Sequence, residues 1–179
     1  MSKTSYEEIK GYFTTQDKEK HANGALPMRS TAVGFWGVSN MDDVKAFFEE
    51  KQFAQETRFL DIGCGDGRVV AIASMYVDAT GVEYDQELAS VGQLALAQLK
   101  LAATITAQDV MELDLSNYDV LYMYADRNFS YLKEKLLREL TGTLYLYHDT
   151  YHPDFLEKQK TTWIGQIPIF AYTAPTREE

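Results

Sequence analysis

The chain has 179 residues, and its 17 Lys and Arg against 27 Asp and Glu give a formal net charge of −10. A domain of this length buries enough surface to fold without disulfides or a structural metal, and the single cysteine, Cys64, excludes an internal disulfide. The acidic balance disfavours broad electrostatic binding of nucleic acid, and no apolar run approaches the roughly 20 residues that cross a membrane. We therefore expect a monomeric, cytoplasmic protein that binds no membrane.

The chain begins with a helical pattern. Tyr6, Ile9 and Phe13 would share one face of a helix, so the sequence predicts a short amphipathic helix over 5–13. The polar stretch over 14–25 lacks such a pattern, and we expect a loop there.

A segment with paired aromatic residues follows. Phe35 and Trp36 lie between two glycines, in the run Gly34-Phe35-Trp36-Gly37. Such a run suits either a hydrophobic lid over a ligand or packing in the core. We predict that residues 1–40 form an N-terminal helix and a lid segment, and that residues 41–179 form the main part of one compact domain.

From residue 41 onward, helical periods alternate with short apolar runs. The expected order is a helix over 41–52, strand 58–62, helix 68–75, strand 79–83, helix 86–99, strand 102–107, strand 119–124, helix 130–140 and strand 143–148. Two β-rich runs, over 161–164 and 167–172, predict a hairpin. Together they predict an α/β fold with a Rossmann-like, doubly wound sheet of seven strands, mostly parallel with a C-terminal antiparallel hairpin.

A glycine-rich turn follows the strand over 58–62. Asp61 stands near the end of that strand, and Gly63-Cys64-Gly65-Asp66-Gly67 leads into the next helix. Such a turn lets the backbone approach a nucleotide-like ligand at the carboxyl edge of a parallel sheet. A dinucleotide fingerprint would require glycine where the chain has Arg68, and Asp61 and Asp66 would repel a pyrophosphate.

Acids also follow the next two strands. Glu83 ends the strand over 79–83, where a carboxylate can accept hydrogen bonds from ribose hydroxyls, and Tyr84 beside it could stack on adenine. Asp109 and Val110 follow the third strand of this region. Because the carboxyl ends of parallel strands meet at one edge, the sequence predicts a nucleoside site there.

These features resemble the class I, seven-strand methyltransferases that bind S-adenosylmethionine, over about residues 57–173. The resemblance implies that Asp61 holds the turn and reaches the amino-acid end of the cofactor. It implies that Asp109 and the Val110 amide bind adenine. The cofactor-binding residues implied are Asp61, Gly63, Cys64, Gly65, Glu83, Tyr84, Asp109, Val110 and Tyr124. Because no histidine lies near Cys64 in sequence, we expect that thiol to pack rather than to act as a nucleophile.

A narrower resemblance concerns the acceptor. Residues 59–70, the run Asp119-Val120-Leu121-Tyr122-Met123-Tyr124 and the pair His148-Asp149 are similar to small archaeal-type protein lysine methyltransferases related to the Dot-type histone enzymes. This resemblance implies N-methylation of a lysine in a protein partner, and a basic partner would suit the negative charge. A small molecule or RNA acceptor, or a cofactor-binding subunit without activity, stays open as an alternative.

The residues around the transfer step are expected at the ends of the later strands. Tyr124 ends the strand over 119–124, and its aromatic face could stabilise the positive charge of a sulfonium without competing as a nucleophile. Asp126 could orient or deprotonate an acceptor, as could His148. A metal-dependent enzyme of this superfamily would need an Asp-Asn pair where the chain has His148-Asp149, so we expect no metal.

Overall fold

The computed structural model describes residues 4–26, 28–31, 34–148 and 150–176, so Asp149 lies outside the described residues. Its helices are α1 (Tyr6–Ala22), α2 (Met41–Lys51), α3 (Arg68–Ala73), α4 (Gln86–Leu99) and α5 (Lys133–Glu139). Its strands are β1 (Met28–Thr31), β2 (Gly34–Gly37), β3 (Arg58–Ile62), β4 (Asp78–Glu83), β5 (Thr104–Ala107), β6 (Val120–Tyr124), β7 (Thr143–Tyr147), β8 (Glu157–Lys158), β9 (Thr162–Ile164) and β10 (Ile167–Thr173).

The central sheet has the strand order β5-β4-β3-β6-β7-β10-β8, and β9 also pairs with β10. Strands β3 to β7 run parallel, whereas β10 is antiparallel to β7. Ile169 pairs with β7 and β9, and Tyr172 pairs with β7 and β8, so β8 and β9 share one edge of β10. The sheet therefore has seven strand positions, which confirms the predicted Rossmann-like fold and its antiparallel C-terminal hairpin.

Two hydrophobic layers cover the sheet, because successive strand residues point to opposite faces. Tyr122, Tyr145 and Tyr147 share one face with α1, α2 and α3, where the ring of Phe47 lies 5.7 Å from that of Tyr122 and 5.1 Å from that of Tyr145. Their strand neighbours pack on the other face against α5, among them Leu121, Met123, Leu144 and Leu146. The tyrosines of β6 and β7 therefore belong largely to the core.

Helix α1 is longer than predicted. Ser5 and Glu8 form a capping box at its start, and the helix continues to Ala22. The predicted loop over 14–25 is therefore wrong as far as Ala22. The physical reason is a tertiary contact, because Asp17 on the polar face accepts hydrogen bonds from the buried Arg68 at 3.0 and 3.2 Å.

The segment after α1 forms an antiparallel hairpin of β1 and β2, in which Ser30 pairs with Phe35 and Arg29 with Trp36. The sequence predicts no strands there. The other predicted boundaries hold within two residues, except that a 3₁₀ turn over Phe129–Tyr131 replaces the expected start of α5. Within the described ranges, no helix combines the length and apolar character needed to cross a bilayer.

Candidate functional site

A cavity of about 380 Å³ opens at the carboxyl ends of β3, β4 and β6. The strand order reverses between β3 and β6, and the crevice at such a reversal is where open α/β sheets bind ligands. The β1–β2 hairpin forms one wall. The predicted site residues that line this cavity are Gly63, Glu83, Tyr84, Asp109, Val110, Tyr124 and Asp126.

Two further predicted residues, Asp61 and Cys64, line a smaller cavity of about 30 Å³ beside the first. Trp36, Gly63 and Tyr124 contribute to both cavities, so the two spaces share a wall. The side chain of Cys64 is buried, and burial together with nearby carboxylates raises the pKa of its thiol. A thiol with a raised pKa is a poor nucleophile, which agrees with the predicted packing role.

Glu83 holds the glycine-rich turn in place. Its Oε2 accepts a hydrogen bond from the Gly65 N–H at 2.8 Å, and its Oε1 accepts one from the Asp85 N–H at 2.8 Å. The sequence prediction gave the anchoring role to Asp61 and the ribose to Glu83. Each carboxylate oxygen has a second lone pair, so the ribose role of Glu83 stays a prediction.

Asp61 is a buried acid without compensation at one of its oxygens. Its Oδ2 has no hydrogen-bond partner among the described residues, and burial and the charges of Glu83 and Asp66 raise its pKa well above the ordinary range. Asp66 differs, because Arg68 donates to its two oxygens at 3.0 and 2.7 Å. The Tyr122 hydroxyl, also on the smaller cavity, is likewise buried without a partner in the described part of the chain. Such a site favours a cationic, hydrogen-bonding ligand group.

The loop after β5 carries Asp109 and Val110 to the cavity. The Asp109 side chain accepts a hydrogen bond from the Met111 N–H at 2.9 Å and so caps the 3₁₀ turn that follows. The buried Lys135 donates to the Met111 carbonyl at 3.3 Å and pairs with Glu139 at 2.7 Å. An element distant in sequence therefore supports the loop that presents these two predicted residues.

Tyr124 is exposed at the end of β6, and its ring lies 5.7 Å from that of Tyr147 and 6.1 Å from that of His148. The Tyr147 hydroxyl donates to Asp43 at 2.9 Å, which fixes that neighbouring ring. His148 has a left-handed backbone, with φ of 75°, which ends the strand one residue earlier than predicted. Tyr124 thus belongs to an aromatic group at the cavity wall, and its transfer role stays a prediction.

Asp126 contacts the hairpin. Its Oδ2 accepts a hydrogen bond from the Phe35 N–H at 2.6 Å. A second tether lies on β1, where Arg29 bonds Asp85 at 3.0 Å and Glu87 at 2.8 Å. These two contacts hold the hairpin to the body of the fold.

Sequence reasoning left the role of Trp36 open and missed Arg127. Trp36 lies over the glycine-rich turn, and Lys20 of α1 lies 5.2 Å from the centroid of its ring. The Arg127 guanidinium stacks on the Tyr131 ring at 3.9 Å, and both residues line the larger cavity. Arg127 directly follows the predicted site residue Asp126, and this adjacency is the feature of the sequence that could have indicated its place on the cavity.

A scan of protein families adds an independent finding. Residues 59–145, which run from β3 through β7, match the family model described as a methyltransferase domain. The chain matches this model over 87 of its 179 residues. No curated protein sequence matches it. The domain match, together with the fold, confirms the predicted enzyme class, an S-adenosylmethionine-dependent methyltransferase.

Solved structures share the fold of this chain. An RNA methyltransferase from Salinibacter ruber in complex with S-adenosylhomocysteine is 17% identical with a TM-score of 0.68, over 79% of this chain and 96% of that one. Magnesium protoporphyrin IX methyltransferase from Synechocystis PCC 6803 with bound S-adenosylmethionine is 14% identical with a TM-score of 0.53, over 75% and 78%. A hypothetical protein of Thermus thermophilus is 23% identical with a TM-score of 0.59, over 82% and 92%.

The solved relatives agree with the predicted cofactor, because two of the three were crystallised with S-adenosylmethionine or its product. Their names give different acceptors, an RNA and a porphyrin. The solved structures therefore agree on the cofactor but differ in the acceptor. The narrower likeness to lysine methyltransferases is not confirmed.

Proposed function

We propose that this methyltransferase binds S-adenosylmethionine across the two cavities and transfers its methyl group to a small molecule that enters beside Tyr124. The observation that carries the proposal is the buried, uncompensated Asp61 oxygen at the smaller cavity, next to a larger cavity of about 380 Å³. The ammonium group of the amino-acid end suits the smaller cavity, and the nucleoside end suits the larger one. Ligand pockets of proteins typically measure about 300–1,000 Å³.

The proposed cofactor contacts follow from where the side chains lie. Asp61 binds the ammonium group, because its buried Oδ2 has no hydrogen-bond partner in the described part of the chain. The glycine-rich turn approaches the amino-acid end through its backbone. Glu83 binds the ribose with its remaining lone pairs, and Asp109 with the Val110 amide binds the adenine, while Tyr84 on the same cavity stacks on it.

The chain contributes mainly alignment and exclusion of water. When bound, S-adenosylmethionine supplies an electrophilic methyl group on a sulfonium, and the acceptor displaces it in line. Tyr124 lines the wall shared by the two cavities and offers an aromatic face for the positive charge. The hairpin, held by Asp126 and Arg29, forms one wall of the larger cavity and limits the access of bulk water to it.

Two observations favour a small acceptor over a polymer. The negative net charge disfavours RNA, and the arginine that lines the cavity, Arg127, would repel the ammonium form of a lysine. A protein lysine remains the second candidate, since the ring group of Tyr124, Tyr147 and His148 would suit a methylated amine.

Calorimetry with S-adenosylhomocysteine tests the cofactor site. The wild-type chain should bind it, and Asp61→Asn should weaken binding by about tenfold or more, because a charge-assisted contact is lost. Asp154→Asn is the matched control, because Asp154 is exposed and lines neither cavity. Absence of binding to the folded wild-type chain would contradict the proposal.

A labelling assay separates the two acceptor classes. The chain is incubated with S-adenosylmethionine labelled on its methyl group and with an extract divided by size into small molecules, protein and RNA. Label should pass into the small-molecule fraction. Label found in protein lysines instead would establish the second candidate, and label in RNA would exclude both.

A further inference from the structure

Arg127 differs from the other arginines that the structure describes. Salt bridges occupy the guanidinium groups of Arg29, Arg58, Arg68 and Arg138. Arg127 forms none within the described residues, and its Nε, like that of Arg29, is buried there without a hydrogen-bond partner. The chain therefore has an uncompensated cation on the wall of its larger cavity, in a protein whose net charge is −10.

The position of Arg127 is fixed by stacking. Its guanidinium carbon lies 3.9 Å from the centroid of the Tyr131 ring, and both side chains are half-buried. The Arg127 side chain also donates a hydrogen bond to the Tyr131 hydroxyl. Stacking and this bond together restrict the guanidinium, and its remaining N–H groups stay available. The side chain is thus ordered before any ligand arrives.

The acids around the same cavity already have donors. Glu83 accepts from two backbone N–H groups, Asp109 from that of Met111 and Asp126 from that of Phe35. None of them lies within ion-pair distance of Arg127. Because the half-buried guanidinium of Arg127 has no ion-pair partner among these acids, a ligand that carries negative charge would complete the arrangement.

We propose that the methyl acceptor is a small molecule with a carboxylate or phosphate group, and that Arg127 binds this group against the Tyr131 ring. The proposal rests on the proposed function, since it names the acceptor class of that same site. The planar fork of an arginine matches either oxyanion with two parallel hydrogen bonds. Tyr124 and Asp126 line the same cavity, so an acceptor anchored at Arg127 lies in the compartment where transfer is proposed.

The test uses the whole chain loaded with S-adenosylhomocysteine. Nuclear magnetic resonance of the arginine Nε–H groups reports directly on the unpartnered atom, and Arg127→Gln assigns its signal. Inorganic phosphate and acetate serve as the two oxyanion probes, and methylammonium as the cationic one. Phosphate or acetate should shift the Arg127 signal at saturable concentrations, and methylammonium should not.

Variants give the expected size of the effect. Arg127→Gln should weaken binding of phosphate or acetate, whichever shifts the Arg127 signal, by about tenfold or more, because a charge-assisted bidentate contact is lost. Arg138→Gln removes an equal charge from an exposed arginine paired with Glu139, and it should leave probe binding unchanged. Binding of S-adenosylhomocysteine should persist in both variants.

Several outcomes would overturn the inference. One is that neither oxyanion shifts the signal, and another is that Arg127→Gln abolishes binding of S-adenosylhomocysteine, which would assign the arginine to the cofactor. A short single-stranded RNA that shifts the signal where phosphate and acetate do not would assign it to a polymer. If the wild-type chain fails to bind S-adenosylhomocysteine, the proposed function fails, whereas a probe shift in the ligand-free chain would still support the oxyanion site.

Discussion

Trp36 lies directly over Gly65, and its indole nitrogen occupies the space that a Cβ at residue 65 would need. Gly65 has a positive φ of 55°, and its N–H is held by Glu83. Trp36 belongs to the hairpin, and Lys20 of α1 lies against its ring. Trp36 therefore links the N-terminal hairpin to the glycine-rich turn at Gly65.

Gly65→Ala should destabilise the chain and displace Trp36. Gly165→Ala is a matched control, because Gly165 has nearly the same φ, 58°, and nothing within 4 Å of its added Cβ. The control should cost about 1 kcal/mol from backbone strain alone. Gly65→Ala should cost more, shift tryptophan fluorescence and weaken S-adenosylhomocysteine binding. Equal losses of stability in the two variants, measured by urea unfolding, would show that the Trp36 contact is loose.

Asp61→Asn should stabilise the ligand-free chain at neutral pH while it weakens cofactor binding. Burial and two nearby acids raise the folded-state pKa of Asp61 above the ordinary value of 3.8. As pH rises past that value, the unfolded chain ionises first, so stability falls as the pH approaches the folded-state pKa of Asp61 and stays reduced above that pKa. Each pKa unit corresponds to about 1.4 kcal/mol. Urea unfolding at pH 4 and pH 7 measures the free energy of unfolding of the wild type and of Asp61→Asn. The increase in this free energy caused by the substitution should be larger at pH 7.

The same acid should couple cofactor binding to proton release. A cationic ligand group favours the ionised carboxylate, so S-adenosylhomocysteine affinity should rise with pH through the ligand-free pKa of Asp61. Calorimetry in two buffers with different ionisation heats detects the released proton. A binding heat that is independent of the buffer would contradict this coupling, because it would show that no net proton is released on binding.

The features that could be predicted from the sequence follow from local periodicity and chain order. The strands and the acids Asp61, Glu83 and Asp109 were located because parallel strands bring their carboxyl ends to one edge. The missed features depend on polar pairs far apart in sequence. Asp17 and Arg68 extend α1, although 51 positions separate them. Local patterns contain no information about which polar side chains meet across the fold.

Variants of Asp126 separate its tethering contact from the predicted role as a base. Asn still offers an oxygen to the Phe35 N–H, whereas Ala does not. Asp126→Ala should therefore raise the rate of hydrogen exchange at the Phe35 amide by about tenfold or more. A tenfold rise corresponds to the loss of a hydrogen bond worth about 1.4 kcal/mol. Asp126→Asn should retain protection and transfer activity. Loss of activity in Asp126→Asn, with S-adenosylhomocysteine affinity intact, would instead identify a base.

Lys135→Met should destabilise the chain and loosen the loop that carries Asp109. Lys135 is buried and pairs with Glu139, and removing one partner of a buried pair costs about 3 kcal/mol. Burial would raise the pKa of Glu139, but hydrogen bonds from Lys135, the Leu115 N–H and Arg138 lower it to about 2.

Since the folded-state pKa of Glu139 lies below its ordinary value of 4.5, its contribution is complete above that pH and is lost as the pH falls toward about 2. The stability difference between wild type and Lys135→Met should therefore be large at pH 7 and smaller at pH 3, as measured by urea unfolding. Arg58→Gln breaks an exposed pair with Asp119 and should cost less than about 1 kcal/mol at pH 7. Equal costs for the two variants would contradict the buried role of Lys135.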